Sequence, residues 1–525
     1  MKINIVKYIF ILFVIGIIGF VIFKLNEEKN NQPEEVTQNV QEEEIIKEIN
    51  LGVAEFDSIN PLLSSNKQIQ ELSKIIFEPM LQINNEYKIE KCLVKDWAKT
   101  SETQYIIKLD DTIQWSDGNK LTADDVIFTI QTIKNLNSIY SDNVKNIVDV
   151  IKVDENTIRI YLDQEIPFFE YNLIFPILSL KYFEGQDFVN TEKNNMPIGT
   201  GKYKIIENSA EKIVLEKNPN YKKEELIPEK ITINKYANLG ELYNAFKLGK
   251  VDLISTNNIG IENYIGTIGY NKTEINGREF DFLAINTQSD VLSNKEVRQA
   301  IARAINRDNI ISQIYNNKYK VQDYFLDYGN WLQGEKADLS YSPDTAISIL
   351  QNNGWEYKYN RWQKVINYRT KRIKLNLVVQ ASNQTRVTIA EMIKNNLEEI
   401  GMDVNIIKAN DKQYESYLNK KNYDILLTGV TLSLSPNLQT FFGTGNLANY
   451  NNEEINSILN EVKNITKEDL LKEKYNRIRQ IYNDELPYIG LYSNFYEVAY
   501  NWTLKGSIPV NWYNIYSTIE SWHKN

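Results

Sequence analysis

Residues 105–126, Tyr-Ile-Ile-Lys-Leu-Asp-Asp-Thr-Ile-Gln-Trp-Ser-Asp-Gly-Asn-Lys-Leu-Thr-Ala-Asp-Asp-Val, constrain the fold more than any other stretch of this chain. Tyr105 to Leu109 reads as a strand, and Ser116-Asp117-Gly118 as a tight turn whose glycine supplies a positive backbone angle. Thr122 stands where a helix N-cap belongs, its hydroxyl placed to accept from the first free amides of the helix. Asp124 and Asp125 then lie at the favourable end of the helix dipole.

At 525 residues the chain exceeds what one hydrophobic core supports, so two or three lobes are expected. An apolar fraction of 42% and a charged fraction of 24% fit a globular body. The net charge of −10, with no basic stripe interleaved with aromatics, argues against a nucleic-acid partner. There is one cysteine, Cys92, and one histidine, His523. That excludes an intramolecular disulfide and any cysteine–histidine metal cluster, so neither metal nor cofactor is expected. A Ser-His-Asp triad would have to recruit its imidazole from the C-terminus, and Cys92 reads as a small buried hydrophobe.

Tyr8 to Phe23 is an uninterrupted apolar run, preceded by Lys2 and Lys7 and followed by Lys24. Sixteen residues span about 24 Å as a helix, and snorkelling lysines close most of the gap to a full hydrocarbon core. Val21-Ile22-Phe23-Lys24-Leu25 offers no small-residue cleavage site, and no cysteine follows to carry a lipid. Residues 1–25 are therefore expected to form an uncleaved signal-anchor, a single span in the cell membrane with the bulk of the chain extracytoplasmic. Residues 26–47, rich in Glu, Gln and Asn, read as a flexible acidic tether.

Beyond the tether, Ile49 to Ala54 reads as a strand, Ile69 to Met80 as a helix, and Ile151–Val153 with Ile158–Leu162 as a hairpin. Ile213–Leu215 and Ile231–Ile233 are further strands, and Leu239 to Leu248 is a helix closed by Gly249. From Phe280 onward the predicted elements alternate: strand 280–286, helix 294–306, a helix at Ala346, strand 373–379, helix 387–400, strand 404–407 and strand 423–430. That alternation predicts an α/β lobe.

The strand, Ser-Asp-Gly turn and Thr-Ala-x-Asp-Val helix start resemble the signature of the family 5 extracytoplasmic solute-binding proteins, the oligopeptide-, dipeptide- and nickel-binding components of ABC importers. Pro197-Ile-Gly-Thr-Gly-Lys-Tyr203, Asn218-Pro219-Asn220-Tyr221, Asn286-Thr287, Val297-Arg298-Gln299-Ala300-Ile301 and Gly354-Trp355 resemble further blocks of that family in the same order, as does Glu391 to Gly401 with Val404. The resemblance runs from about Ile49 to the C-terminus. It implies an α/β, two-lobed fold of the periplasmic-binding-protein type II class, with an extra subdomain and a cleft between lobes joined by two hinge strands. The implied division is 48–80, 191–280 and 491–525 as the first lobe, 81–190 as its subdomain and 281–490 as the second lobe. The hinge crossings would fall near Ala284 and Tyr488. The family's usual lipid anchor in Gram-positive bacteria is replaced here by the signal-anchor.

The same resemblance points to ligand contacts at Ser65 and Asn66 after Pro61, at Tyr140 beyond the Ser-Asp-Gly helix, and at Gly429, Val430, Thr431 and Ser433, where a strand would pair with a peptide backbone. Two departures stand out. Ser433 occupies the place of the aspartate that takes a peptide's α-amine, and the arginine for a dipeptide carboxylate falls near Gln380. Free short peptides are therefore expected to bind weakly. The leading expectation is a monomeric, non-enzymatic receptor that takes a peptide or other small solute and delivers it to ABC permease subunits. The alternatives are a receptor of the same fold that signals to a membrane partner, and an extracytoplasmic hydrolase built on two carboxylates.

Overall fold

The computed structural model describes residues 14–22, 24, 47–221, 223–508 and 513–525. Met1–Ile45 forms a unit apart from the body Ile46–Lys524. In that unit residues 14–22 are helical. The expected signal-anchor covers residues 1–25, of which 1–13, 23 and 25 lie outside the described residues, as does the expected tether up to residue 46. Among the described residues no helix is long and apolar enough to cross a membrane.

The body is organised around three larger sheets. In the first, Glu48–Ala54 pairs parallel with Lys230–Tyr236, followed by Lys212–Lys217 and Tyr203–Asn208. The second is an antiparallel sheet in the order Val94–Ser101, Gln104–Leu109, Thr157–Leu162 and Ile147–Asp154. The third has six strands in the order Leu253–Thr256, Tyr488–Asn501, Tyr270–Ile285, Ile425–Thr431, Lys374–Gln380 and Asp403–Ala409. Two large hydrophobic cores result. The first gathers residues between Ile49 and Ile275 together with Val498 to Trp522, and the second residues between Phe280 and Tyr492.

The sequence motifs near the first core interlock. Gly201 and Tyr203 donate their amides to the carbonyls of Ile76 and Ile75, at 2.8 and 3.2 Å. A Cβ on Gly199 would stand 1.9 Å from the Ile76 oxygen, so only glycine permits this approach. Ser116 of the Ser-Asp-Gly turn donates to the Gly199 carbonyl at 3.0 Å, Asn218 to that of Gly201 at 2.8 Å, and Asn220 to that of Trp115 at 2.9 Å. These contacts also shorten the expected helix 69–80, which runs only Lys67–Ser73. The apolar period continues past Ser73, but the Ile75 and Ile76 carbonyls serve the glycine turn instead of a further helical turn.

The helix Ala123–Asn135 starts where expected, with a difference in its cap. The Asp125 carboxylate accepts from the Thr122 backbone and hydroxyl at 2.8 and 3.0 Å and from the Leu180 amide at 2.8 Å. Burial pushes this carboxyl up while those bonds hold it down. The aspartate, more than the threonine, anchors the helix start.

Two strands connect the cores. Tyr270–Ile285 and Tyr488–Asn501 pair from Tyr270↔Asn501 to Ala284↔Tyr488, with register breaks between Asn276 and Phe280 and between Asp281 and Phe282. The first strand is twice the predicted length, because its polar N-terminal half, Tyr-Asn-Lys-Thr-Glu-Ile-Asn-Gly-Arg-Glu, hides it from a reading of apolar alternation. At the break, the Asn494 side chain accepts from the Glu279 amide at 3.0 Å. A Cβ on Gly277 would lie 1.9 Å from the same Asn494 oxygen. The crossing thus falls at Gly277–Glu279 and Asn494, and not at Ala284 and Tyr488, which pair inside the second core.

The second core holds a fully buried ion pair. Arg479 on the long helix Glu468–Glu485 donates to Asp323 at 2.7 Å, with side-chain exposures of 0% and 4%. Arg479→Ala leaves that carboxylate buried without its cation and should cost about 3–5 kcal/mol, read from urea unfolding. A loss below about 1 kcal/mol would contradict the burial of the pair.

Candidate functional site

A cavity of about 390 Å³ lies between the two cores. From the first side it is lined by Gln70 and Glu71 of the helix Lys67–Ser73, by Tyr140 just beyond the Ser-Asp-Gly helix, and by Tyr171. From the second side come Ser433 to Ser435. Tyr140 and Ser433, 293 positions apart in the sequence, thus face one space. Tyr140 donates to the Gln70 side-chain oxygen at 2.6 Å, and Gln70 in turn donates to the carbonyls of Pro61 and Ser64 at 2.9 and 2.7 Å. Burial pushes the Tyr140 phenol well above its ordinary range, so it acts as a neutral hydroxyl.

Ser65 and Asn66 line a different cavity of about 500 Å³, which shares Glu71 with the first. The Asn66 amide is committed to its own loop. It accepts from Gln68 at 2.9 Å and donates to the carbonyls of Ala54 and Glu55 at 2.8 and 3.0 Å. The Ser65 side chain is exposed, and its amide donates to Asp57 at 3.2 Å.

Gly429, Val430 and Thr431 end the strand Ile425–Thr431, which pairs along one edge with Glu279 to Ile285. Leu432 donates to the Arg278 carbonyl at 2.8 Å, which sets the alternation of the ladder. Val430 faces that partner strand, while the N–H and C=O of Gly429 and Thr431 turn to the opposite edge. On that edge the neighbouring strand pairs only through Leu377↔Ile425 and Val378↔Leu426. Two residues' worth of backbone donors and acceptors therefore face outward beside the Ser433 loop.

The sequence did not reveal what supports this edge. Arg386, near the start of the helix Gln384–Glu399, grips Asp281 with two hydrogen bonds of 2.9 and 2.6 Å, and Tyr492 donates to the same carboxylate at 2.9 Å. Burial opposes the Arg386 charge, but the Asp281 bonds outweigh it and hold the guanidinium protonated. Gly429 packs on this pair: a Cβ there would lie 2.1 Å from the Asp281 oxygen and 2.3 Å from an Arg386 nitrogen. Gln380, by contrast, donates to Asp411 at 2.9 Å in an exposed contact. Arg386, six positions beyond Gln380, is engaged by Asp281.

Ser433 is exposed and accepts only from the Ser435 amide, at 3.2 Å. Glu71 is more informative. One of its carboxylate oxygens meets Lys74 at 3.1 Å, and the other is buried with no hydrogen-bond partner. Among the described residues no group of three or more His, Cys, Asp or Glu is placed to hold a metal ion. Cys92 is half-buried, donates to Glu78 at 3.5 Å, and has its thiol pushed well up by burial and by that carboxylate.

Two cores joined by paired strands, with a cavity between them, define a two-lobed solute-binding fold. The profile described as bacterial extracellular solute-binding proteins, family 5 Middle, matches residues 88–452, and the chain belongs to that family. It is 20% identical to the oligopeptide-binding protein AppA of Bacillus subtilis over 465 residues, covering 84% of this chain and 85% of that one. It is 23% identical to the heme-binding protein A of Haemophilus influenzae, covering 76% and 78% of the two chains. Among solved structures, the unliganded open form of the periplasmic murein tripeptide-binding protein MppA aligns with a TM-score of 0.79 at 18% identity, over 91% of this chain and 98% of that one.

Gly429→Ala forces a methyl group into the Asp281–Arg386 pair and should destabilise the second lobe by about 1–3 kcal/mol in urea unfolding. Wild-type stability in this variant would show that the pair does not press on the strand edge.

Proposed function

We propose that this protein is a membrane-tethered, extracytoplasmic receptor of an ABC importer that captures a peptide between its lobes and delivers it to permease subunits. It acts by binding and not by catalysis. The observation that carries the reading is the outward-facing backbone of Gly429 and Thr431 beside the interlobe cavity, since an extended peptide can add to such an edge as a further strand. Tyr140 and Ser433 would then close on it from opposite lobes. The lobes are proposed to divide at 48–80, 191–280 and 491–525 against 281–490, with 81–190 as the subdomain. Closure would bend the two crossing strands at Gly277–Glu279 and Asn494, where the ladder is already interrupted. The tether reading rests on the apolar run Tyr8 to Phe23.

The missing charge at Ser433 has a counterpart across the cleft. Glu71 lines the same cavity, and an ammonium placed against its free carboxylate oxygen would satisfy a buried acceptor. This changes the expectation for free peptides, which the sequence alone makes weak. Calorimetry with matched free and N-acetylated peptides tests it. Glu71→Gln should weaken free peptides roughly tenfold and leave acetylated ones unchanged. Equal losses for both would remove the amine role from Glu71, and an absence of binding by any peptide would remove the peptide reading.

A further inference from the structure

A third cavity, of about 540 Å³, lies between the proposed subdomain and the second lobe, and Tyr171 lines both it and the interlobe cavity. Its apolar walls are aromatic: Trp97, Tyr105, Phe168 and Tyr171 from one lobe, Trp331 from the other. Glu170 lies among them.

The charges around this space are distributed unevenly. The Lys99 ammonium donates to Glu165 at 2.7 Å, to the Asn464 side chain at 3.0 Å and to the Lys463 carbonyl at 3.3 Å. An ammonium has three N–H groups, so none remains for Glu170. Lys463 pairs with Glu165, and Lys88 pairs with Glu468. Glu170 takes no hydrogen bond or ion pair from another side chain among the described residues. Burial pushes its carboxyl up, opposed by a hydrogen bond from its own backbone N–H and, at a distance, by Lys99.

Two further features mark the cavity as a place built for an occupant. Phe168 holds a left-handed backbone, φ 57° and ψ 41°, a conformation costly for an aromatic residue, immediately before the turn that carries Glu170. The Trp331 indole nitrogen is buried and makes no close hydrogen bond, only a weak interaction with the Tyr171 hydroxyl. A carboxylate with no ion pair among the described residues and a buried indole N–H thus line a space with aromatic walls.

We propose that this cavity receives an organic cation, a guanidinium or primary ammonium on an aliphatic arm, with Glu170 as its counter-charge and the surrounding rings as its walls. Aromatic faces attract such a cation, and a carboxylate in a desolvated site gives it a strong partner. Because Tyr171 borders both spaces, the arm fits the Arg or Lys side chain of a peptide seated on the Gly429 edge, and the Trp331 N–H would meet a carbonyl of the same ligand. The proposal deepens the peptide reading and rests on it for the identity of the arm, but the cavity can be tested without a peptide.

The experiment uses the full chain and two probe pairs. The first is a set of N-acetylated, C-amidated pentapeptides with arginine or its neutral twin citrulline at each position in turn. The second is n-butylguanidinium against n-butylurea. Calorimetry should show arginine preferred over citrulline at one position by roughly tenfold, with Glu170→Gln abolishing that preference and leaving the citrulline peptide unaffected. Butylguanidinium should bind the wild type and not Glu170→Gln. Equal affinity for arginine and citrulline at every position, or a preference that survives Glu170→Gln, would overturn the proposal and leave peptide binding intact. If no pentapeptide binds, the peptide reading fails, and butylguanidinium alone decides for or against the cavity. If Glu170→Gln loses the citrulline peptide too, competition on the wild type decides. Butylguanidinium displacing the arginine peptide but not its citrulline twin supports the proposal, and no displacement overturns it.

Discussion

The pairing of Tyr270–Ile285 with Tyr488–Asn501 is the constraint on which the rest of the structure depends. Each strand enters both hydrophobic cores, so neither lobe is complete without it. The ladder breaks where the cores meet: Gly277 lets the Asn494 side chain press against the backbone, and that side chain takes the Glu279 amide that the ladder leaves unpaired. An interruption of this kind satisfies the backbone while removing regular pairing. In the proposed closure, this is the short segment in which a few dihedral changes would reorient one lobe against the other.

The cleft inherits its chemistry from this arrangement. Asp281, four residues past Gly277, is gripped by Arg386 and Tyr492 and fixes the floor under Gly429. The outward backbone of Gly429 and Thr431 follows from the two-residue alternation of the ladder and from the early departure of the Lys374–Gln380 strand. From the opposite lobe come Tyr140, fixed through Gln70 to the loop after Pro61, and the half-paired carboxylate of Glu71.

What could be read in the sequence divides along physical lines. The Ser-Asp-Gly turn, the Gly-Thr-Gly turn and Asn218–Tyr221 were conspicuous because close backbone approach permits few residue types, and the structure packs them against one another instead of lining the cleft with them. Tyr140 and Ser433 were named through the family resemblance and both line the interlobe cavity, while Gly429, Val430 and Thr431 end the strand that leads into the Ser433 loop. Asn66, read as a ligand contact, uses its amide to close its own loop. Glu71, Arg386 and Glu170 were not legible, because an acidic or basic residue on a helix usually signals a solvated face. Only the fold shows which carboxylate lacks a partner. The polar half of Tyr270–Ile285 escaped for a similar reason: both its neighbours come from distant sequence, and no local period announces it.

The central claim is that the lobes close on a ligand about the interrupted strands. Small-angle X-ray scattering of the full chain, with and without a saturating acetylated peptide, tests it most directly. The account predicts a fall in the radius of gyration on binding, together with a narrower distribution of interatomic distances. Stoichiometric binding with an unchanged scattering profile would contradict it.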